Sequence, residues 1–188
     1  MIKKLKKFDR HLAIVGFRNV KIEGIDRFFS VVRSKAEDVH VQFFDAKLIA
    51  GWEHLYFAAL NALNAFKNKT NISKSVAVET LLYASAQRQI KNAVELLGIK
   101  PKSSQVAVLI VAETKRIAAS TLKAVSKLVT GERDDSVLEL TNGKVKRIKG
   151  FFSISDLELD AKLEKEGFEK KALIDLVIEH MALLATQR

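Results

Sequence analysis

The sequence contains no cysteine. That one absence excludes disulfides, thiolate nucleophiles, zinc ribbons and iron–sulfur sites together. Its four histidines, His11, His40, His54 and His180, show no ligand-like pairing, and no HExxH occurs, so no metal site is expected. The eight glycines are scattered. No GxGxxG or P-loop pattern is present to cradle a phosphate, and no GxSxG elbow to hold a nucleophile. No apolar run is long enough to span a bilayer. The basic start, Met1 to Phe8, lacks the apolar core of a secretory signal. The adjacent acids Asp134 and Asp135, followed by Ser136, read as a turn or helix start rather than as a catalytic pair. The expectation is a cytoplasmic protein without a cofactor that does no catalysis of its own.

What is present is charge. The 188 residues carry a net charge of +10 with 48% hydrophobic content, and the pI is about 9.7. Such a field attracts polyanions, of which nucleic acid is the common one; a lysine-rich solvated surface explains the number equally well. Lys3, Lys4, Lys6, Lys7 and Arg10 crowd the N-terminus, and Lys144, Lys146, Arg147 and Lys149 form a second cluster. Few aromatics interleave with either, so no base-stacking sheet is evident.

Hydropathy periodicity predicts a strand over 11–20, a helix over 25–36 with Ile25, Phe28, Phe29 and Val32 on one face, and a strand from 39 to about 50, bent near Phe44-Asp45. A helix follows over 52–68, then a polar loop in which Ser73 or Ser75 can cap the next helix. Residues 105–113 are the strongest strand signal: Val106 to Val111 is unbroken and apolar, as in a strand buried on both faces. A helix over 114–128 presents Ile117, Thr121, Ala124 and Leu128. A turn-rich stretch covers 130–140, a short basic helix covers 144–152, and a charged helical segment follows. The order argues for one α/β (α+β) domain over 1–188, a small mixed β-sheet wrapped by helices and ending in a C-terminal helix.

Two stretches ask for more. Residues 76–97 read as an amphipathic helix whose middle, Ser85-Ala86-Gln87-Arg88-Gln89, is a polar knot. In one unbroken helix, Ile90 and Val94 join the apolar face. In the alternative, the helix breaks near Ser85, which caps a second helix. Gly98 stands where a left-handed residue ends the segment, with Pro101 beyond. A structural reading has Ser85 and Gln89 satisfy backbone groups at a kink, with Arg88 in a local ion pair. A functional one makes Gln87, Arg88 and Gln89 a donor-rich spot suited to phosphate and ribose. The second stretch is 168–188. Between Ala172 and Leu184 only Asp175, Glu179 and His180 are polar. A helix apolar nearly all round is either deeply buried or covered by a partner, and a C-terminal helix favours the partner.

The run LLYASAQRQIKNAVELLGIK, with EHLYFAALNALNAF before it and TGERDDSVLEL after it, resembles the small kinase-binding subunit of the KEOPS (EKC) complex. Glu79 holds the place of an acid upstream of the knot, and His54 that of the histidine opening the preceding helix. The likeness covers about 10–152 and the last helix, and 153–166 reads as an insertion.

The resemblance implies a non-catalytic subunit that binds the kinase-like ATPase (PRPK-type) subunit and recruits tRNA through its 3′ CCA end, supporting threonylcarbamoyladenosine synthesis. It implies a tRNA-binding group led by Arg88, followed by Gln87, Lys74, His54 and Lys47. It also implies a kinase contact through Leu173, Leu176, Val177, His180, Met181 and Leu184, extended by Phe28 and Phe29. The competing reading is a free-standing basic RNA-binding protein, which leaves the apolar last helix unexplained unless the chain dimerises.

Overall fold

A computed structural model describes residues 2–22, 39–163, 165 and 167–186. In chain order its elements are β1 (Ile2–Leu5), β2 (Arg10–Lys21), β3 (His40–Asp45), α1 (Trp52–Lys67), α2 (Val76–Ala84), α3 (Ile90–Leu97), β4 (Val106–Ala112), α4 (Lys115–Leu128), β5 (Thr130–Arg133), α5 (Asn142–Phe152), α6 (Asp156–Lys162) and α7 (Glu169–Leu183). The helix expected over 25–36, with Phe28 and Phe29, lies outside the described residues.

The unbroken apolar run becomes the central strand. All seven residues of β4 are buried. It pairs with β2 on one side and β3 on the other, while β1 and β5 extend the sheet from the far edge of β2. Side chains alternate across a strand, so β4 feeds two cores. Ala107, Leu109 and Val111 pack with Leu55, Ala58, Ala59 and Ala62 of α1 and Leu81 and Leu82 of α2. Val106, Val108 and Ile110 pack on the other face with Val125 of α4. Helices therefore cover both faces, as an α/β domain requires.

The expected mixed sheet is corrected in one respect: every strand pairing is antiparallel. β2 and β3 do run in the same direction, but β4 lies between them and opposes both, so no parallel pair is hydrogen-bonded among the described residues. On α4 the buried positions are Ala118, Thr121 and Val125, one residue later than expected at two of the three. Gly98 is extended (φ −66, ψ 150) rather than left-handed. Its lack of a side chain serves close approach, since a Cβ there would stand 2.4 Å from the Val94 carbonyl.

The largest correction concerns α7. Leu173, Leu176, Val177, Met181 and Leu184, expected to face a partner, are all buried within the chain. Leu173, Leu176 and Val177 pack with Ile148 and Phe152 of α5. Met181 and Leu184 join the core over α1 and α2. The helix satisfies its nearly all-round apolarity by packing against α1, α2, α5 and α6. α6 is held in turn by a capping box, in which Ser155 Oγ accepts from the Glu158 N–H and the Glu158 carboxylate accepts from the Ser155 N–H. A Lys162–Glu179 ion pair also links α6 to α7.

This burial predicts a stability phenotype. Met181→Ala should lower unfolding free energy by about 2–5 kcal/mol in urea titration. A change under about 0.5 kcal/mol would show that α7 does not belong to the core.

Candidate functional site

The polar knot is a helix break. α2 ends at Ala84, and the Ser85 Oγ, fully buried, donates to the carbonyls of Leu81 (2.8 Å) and Leu82 (3.1 Å). Ala86 then turns left-handed (φ 49). Its N–H donates to the Tyr83 carbonyl, and the Gln87 N–H to that of Leu82. These two bonds close the helix end in a Schellman arrangement, with alanine at the position that glycine normally fills. Ser85 thus caps the first helix and not the second. After the break α3 starts afresh and buries Ala93 and Leu97, leaving Ile90 and Val94 44% and 48% exposed. Gln89 makes no side-chain capping bond. Arg88 is exposed and forms no ion pair among the described residues, contrary to the local salt bridge that a purely structural reading supposes.

His54 sits beneath the knot, not on it. It has no exposed surface. Its Nδ1 accepts from the Ala50 N–H (3.1 Å), and its Nε2 donates to the Ala84 carbonyl (2.8 Å). The ring packs edge-on against Phe152 at 5.7 Å. One imidazole therefore joins the start of α1, the end of α2 and the end of α5. Burial lowers its pKa to about 4, against the opposing effect of the Ala84 bond. It is a neutral tether inside the fold. Glu79 does a similar job at the other end of α2: its buried carboxylate accepts from the backbone N–H groups of Ile72 and Ser73. That pins the loop bearing Lys74, which stands one helix length, about 13 Å, from the knot.

Lys47 belongs to a basic crevice of about 310 Å³ that also takes in Lys100, Lys102, Ser103 and Arg147. Strand pairing builds it. Asp45 opposes Val106, and the Ala46 N–H donates to the Gln105 carbonyl. The turn at 46–48 therefore lies beside the loop at 100–105. Asp45 is engaged by the Ser103 hydroxyl at 2.6 Å and the Lys47 N–H at 3.0 Å. None of the four cations has a carboxylate partner among the described residues. Arg147 and Phe151 are one turn apart on α5 and share a face. Phe151 opens into a second pocket, of about 200 Å³, with Ala86, Gln87, Ser153, His180 and Leu183. The expected residues Gln87 and Lys47 thus flank one side of α5, with Arg88 next to Gln87 in the chain, whereas Lys74 and His54 do not join them. His180, expected on a kinase-facing surface, opens toward Gln87. Lys100, Lys102, Arg147 and Phe151 were not singled out from the sequence for this site.

The two sequence clusters of cations are largely tied internally. Lys144 is buried and donates to the carbonyls of Ile49 and Val137; burial lowers its pKa to about 8. Lys149 pairs with Asp156, Lys4 with Asp9 and Arg10 with Glu113.

A different surface is apolar. Trp52, Tyr56 and Leu60 stand four apart on α1 and share a face; Trp52 is 42% exposed. Trp52 and Tyr56 border a groove of about 540 Å³ with Ile14, Leu138, Leu140 and, from α7, Ile174. The Lys3 ammonium lies 4.9 Å from the Trp52 ring centre and 4.5 Å from that of Tyr56, a cation–π arrangement. No described helix is long and apolar enough to cross a membrane.

The chain matches the family described as "Kinase binding protein CGI-121" over residues 17–185. It is also 33% identical over 135 residues to "Regulatory protein Cgi121" of Methanocaldococcus jannaschii, an overlap of 72% of this chain and 83% of that relative.

The His54 tether predicts a pH dependence. Unfolded, the ring protonates near 6.5; folded, it stays neutral down to about pH 4. Its contribution is complete above pH 6.5 and is lost as pH falls toward 4, by on the order of 3 kcal/mol in all. His54→Gln should be less stable at pH 7 and should lose less further stability between pH 6.5 and 5 than the unsubstituted chain. Parallel pH–stability curves would exclude the tether.

Proposed function

The chain belongs to the CGI-121 kinase-binding protein family, and from that premise we propose that it is a non-catalytic KEOPS subunit. In this reading it binds the kinase-like ATPase subunit and recruits tRNA through its 3′ CCA end, in support of threonylcarbamoyladenosine synthesis. The observation that carries the reading is the family match itself, which spans both helices bordering the apolar groove. The groove supports assigning the kinase contact to Trp52, Tyr56 and Ile174. Aromatic anchors in an apolar depression with charged rims are what a specific protein interface uses. The α7 residues expected to make this contact instead hold the wall in place from behind.

The tRNA half rests on the other side of the molecule. Lys47, Lys100, Lys102 and Arg147 line one crevice and, like Arg88, have no carboxylate partner among the described residues; a second pocket along α5 has an aromatic wall, Phe151, and polar groups from Gln87 and His180. A single-stranded tail requires both: cations for its phosphates and a lined recess for an unstacked base. Ile174 and His180 are six residues apart on α7, so they point about 120° apart. The kinase and the RNA tail can then be bound at once.

Ile174→Glu should weaken association with the kinase-like subunit at least tenfold in calorimetry and leave tRNA affinity unchanged. Arg88→Ala should do the reverse, costing about 1–3 kcal/mol in tRNA binding if the guanidinium meets a phosphate. Loss of both activities in either variant, or of neither, would refute the separation of surfaces. Equal affinity for tRNA with intact and trimmed CCA ends would refute recruitment through that end.

A further inference from the structure

α4 lies on the opposite face of the sheet from α1 and α2, and it contains no acidic residue: its sequence is KRIAASTLKAVSKL. The helix buries Ala118, Thr121 and Val125. At 100° per residue the outward direction is then occupied by Arg116, Ser120, Lys123 and Lys127. All four are exposed. Lys123 and Lys127 are about 6 Å apart along the axis, and Arg116 stands about 10 Å before Lys123. Between these cations are only small residues, Ala119, Ser120 and Ser126. Lys123, Ser126 and Lys127 also wall a shallow groove against β5, where Arg133 reaches the far side.

Among the described residues, the charge of this helix is not balanced by its surroundings. The nearby acids are already engaged: Glu113 with Arg10, Glu132 and Asp134 with Arg18, and Asp135 with Arg133. No cation of α4 has a carboxylate partner among the described residues. Acids nearby that answer other cations, and none that answer α4, leave a concentrated positive field on one face.

We propose that this face of α4 is a second RNA contact, one that holds the sugar–phosphate backbone of a double-helical region; it rests on the tRNA reading above. The surface itself selects that partner. The large apolar side chains exposed on the described surface are Trp52, Phe57, Ile72, Ile90, Val94, Leu157, Phe168 and Leu183, and none is on α4 or β5. A protein interface of useful affinity needs buried apolar or aromatic anchors. A membrane-surface helix needs an apolar face free to insert, and that of α4 is spent on the sheet. A single strand needs aromatics on which to stack its bases. What remains is a stiff, regular polyanion whose charges are dense along its axis. Small residues between the cations let its backbone come close, and the α4–β5 groove gives the strand edge a place to lie. The knot side would take the unpaired end and α4 the duplex, so a structured RNA would be read by its two parts.

The test uses the full chain, a folded tRNA and a single-stranded oligonucleotide with the same 3′ end. Lys123→Ala/Lys127→Ala should weaken folded-tRNA binding about fivefold or more at low salt. It should also reduce the slope of log affinity against log salt by about 2. Affinity for the single strand and for the kinase-like subunit should not change. An unaltered slope with folded tRNA overturns the proposal. Equal loss on the single strand overturns it too, since α4 would then act only through general charge. Loss of kinase-like subunit binding would make α4 a protein contact and overturn it as well. If the unsubstituted chain binds neither RNA, the tRNA reading falls and this contact falls with it.

Discussion

The structure turns on a buried imidazole. His54 takes one hydrogen bond from the bend that opens α1 and gives one to the last residue of α2, while its ring packs edge-on against Phe152. An uncharged donor and acceptor in one rigid ring can satisfy two backbone groups that burial would otherwise leave costly. A lysine or a carboxylate could not do both. Because α2 is closed at that point, the chain turns outward at Ala86, leaving Gln87 half-buried and Arg88 exposed. Because Phe152 is held at the same point, the α5 face with Arg147 and Phe151 lies alongside. The order of causes runs from a neutral histidine, to a fixed helix end, to a surface with cations on one flank and a lined pocket on the other.

The last helix makes the two-sided arrangement possible. Its buried residues Leu173, Leu176, Val177 and Met181 are engaged by the chain itself, so it works as a rigid partition. One of its sides contributes Ile174 to the apolar groove, another contributes His180 to the pocket beside the knot. A mobile or half-seated helix could not fix both. The charge follows the same economy. Much of the N-terminal cluster and Lys144 serve internal bonds, and the cations without a carboxylate partner among the described residues include those of the Lys47 crevice and of α4.

The sequence made much of this legible. β4 was readable because a doubly buried strand must be apolar without interruption. α1 was readable from periodicity, and α5 and α6 only as a short basic helix and a charged helical segment. The acid pair Asp134-Asp135 was readable as a turn: Asp134 accepts from the Ser136 N–H. Other features were hidden for identifiable reasons. The break near Ser85 was legible only as one of two alternatives, because alanine rather than glycine takes the left-handed position. The burial of α7 depends on α5 and α6 closing over it, which local periodicity does not show. Lys100 and Lys102 are some fifty residues from Lys47, and only the β3–β4 register brings them together. His54 carried a signal, as a histidine near a helix start, but that signal suits a surface contact and a buried tether equally well. The resemblance identified the family correctly, while the side chains of His54 and of Leu173, Leu176, Val177, Met181 and Leu184 are buried within the chain.

The central claim is that one partner meets the Trp52 groove while RNA meets the knot. Trp52 is the chain's only tryptophan, which makes one measurement decisive: fluorine NMR of the chain labelled with fluorotryptophan, with tRNA added first and the kinase-like subunit second. The account predicts an unmoved signal with tRNA bound, then a shift when the kinase-like subunit joins, with the tRNA retained. A shift on adding tRNA alone, or release of the tRNA when the second partner arrives, would contradict it.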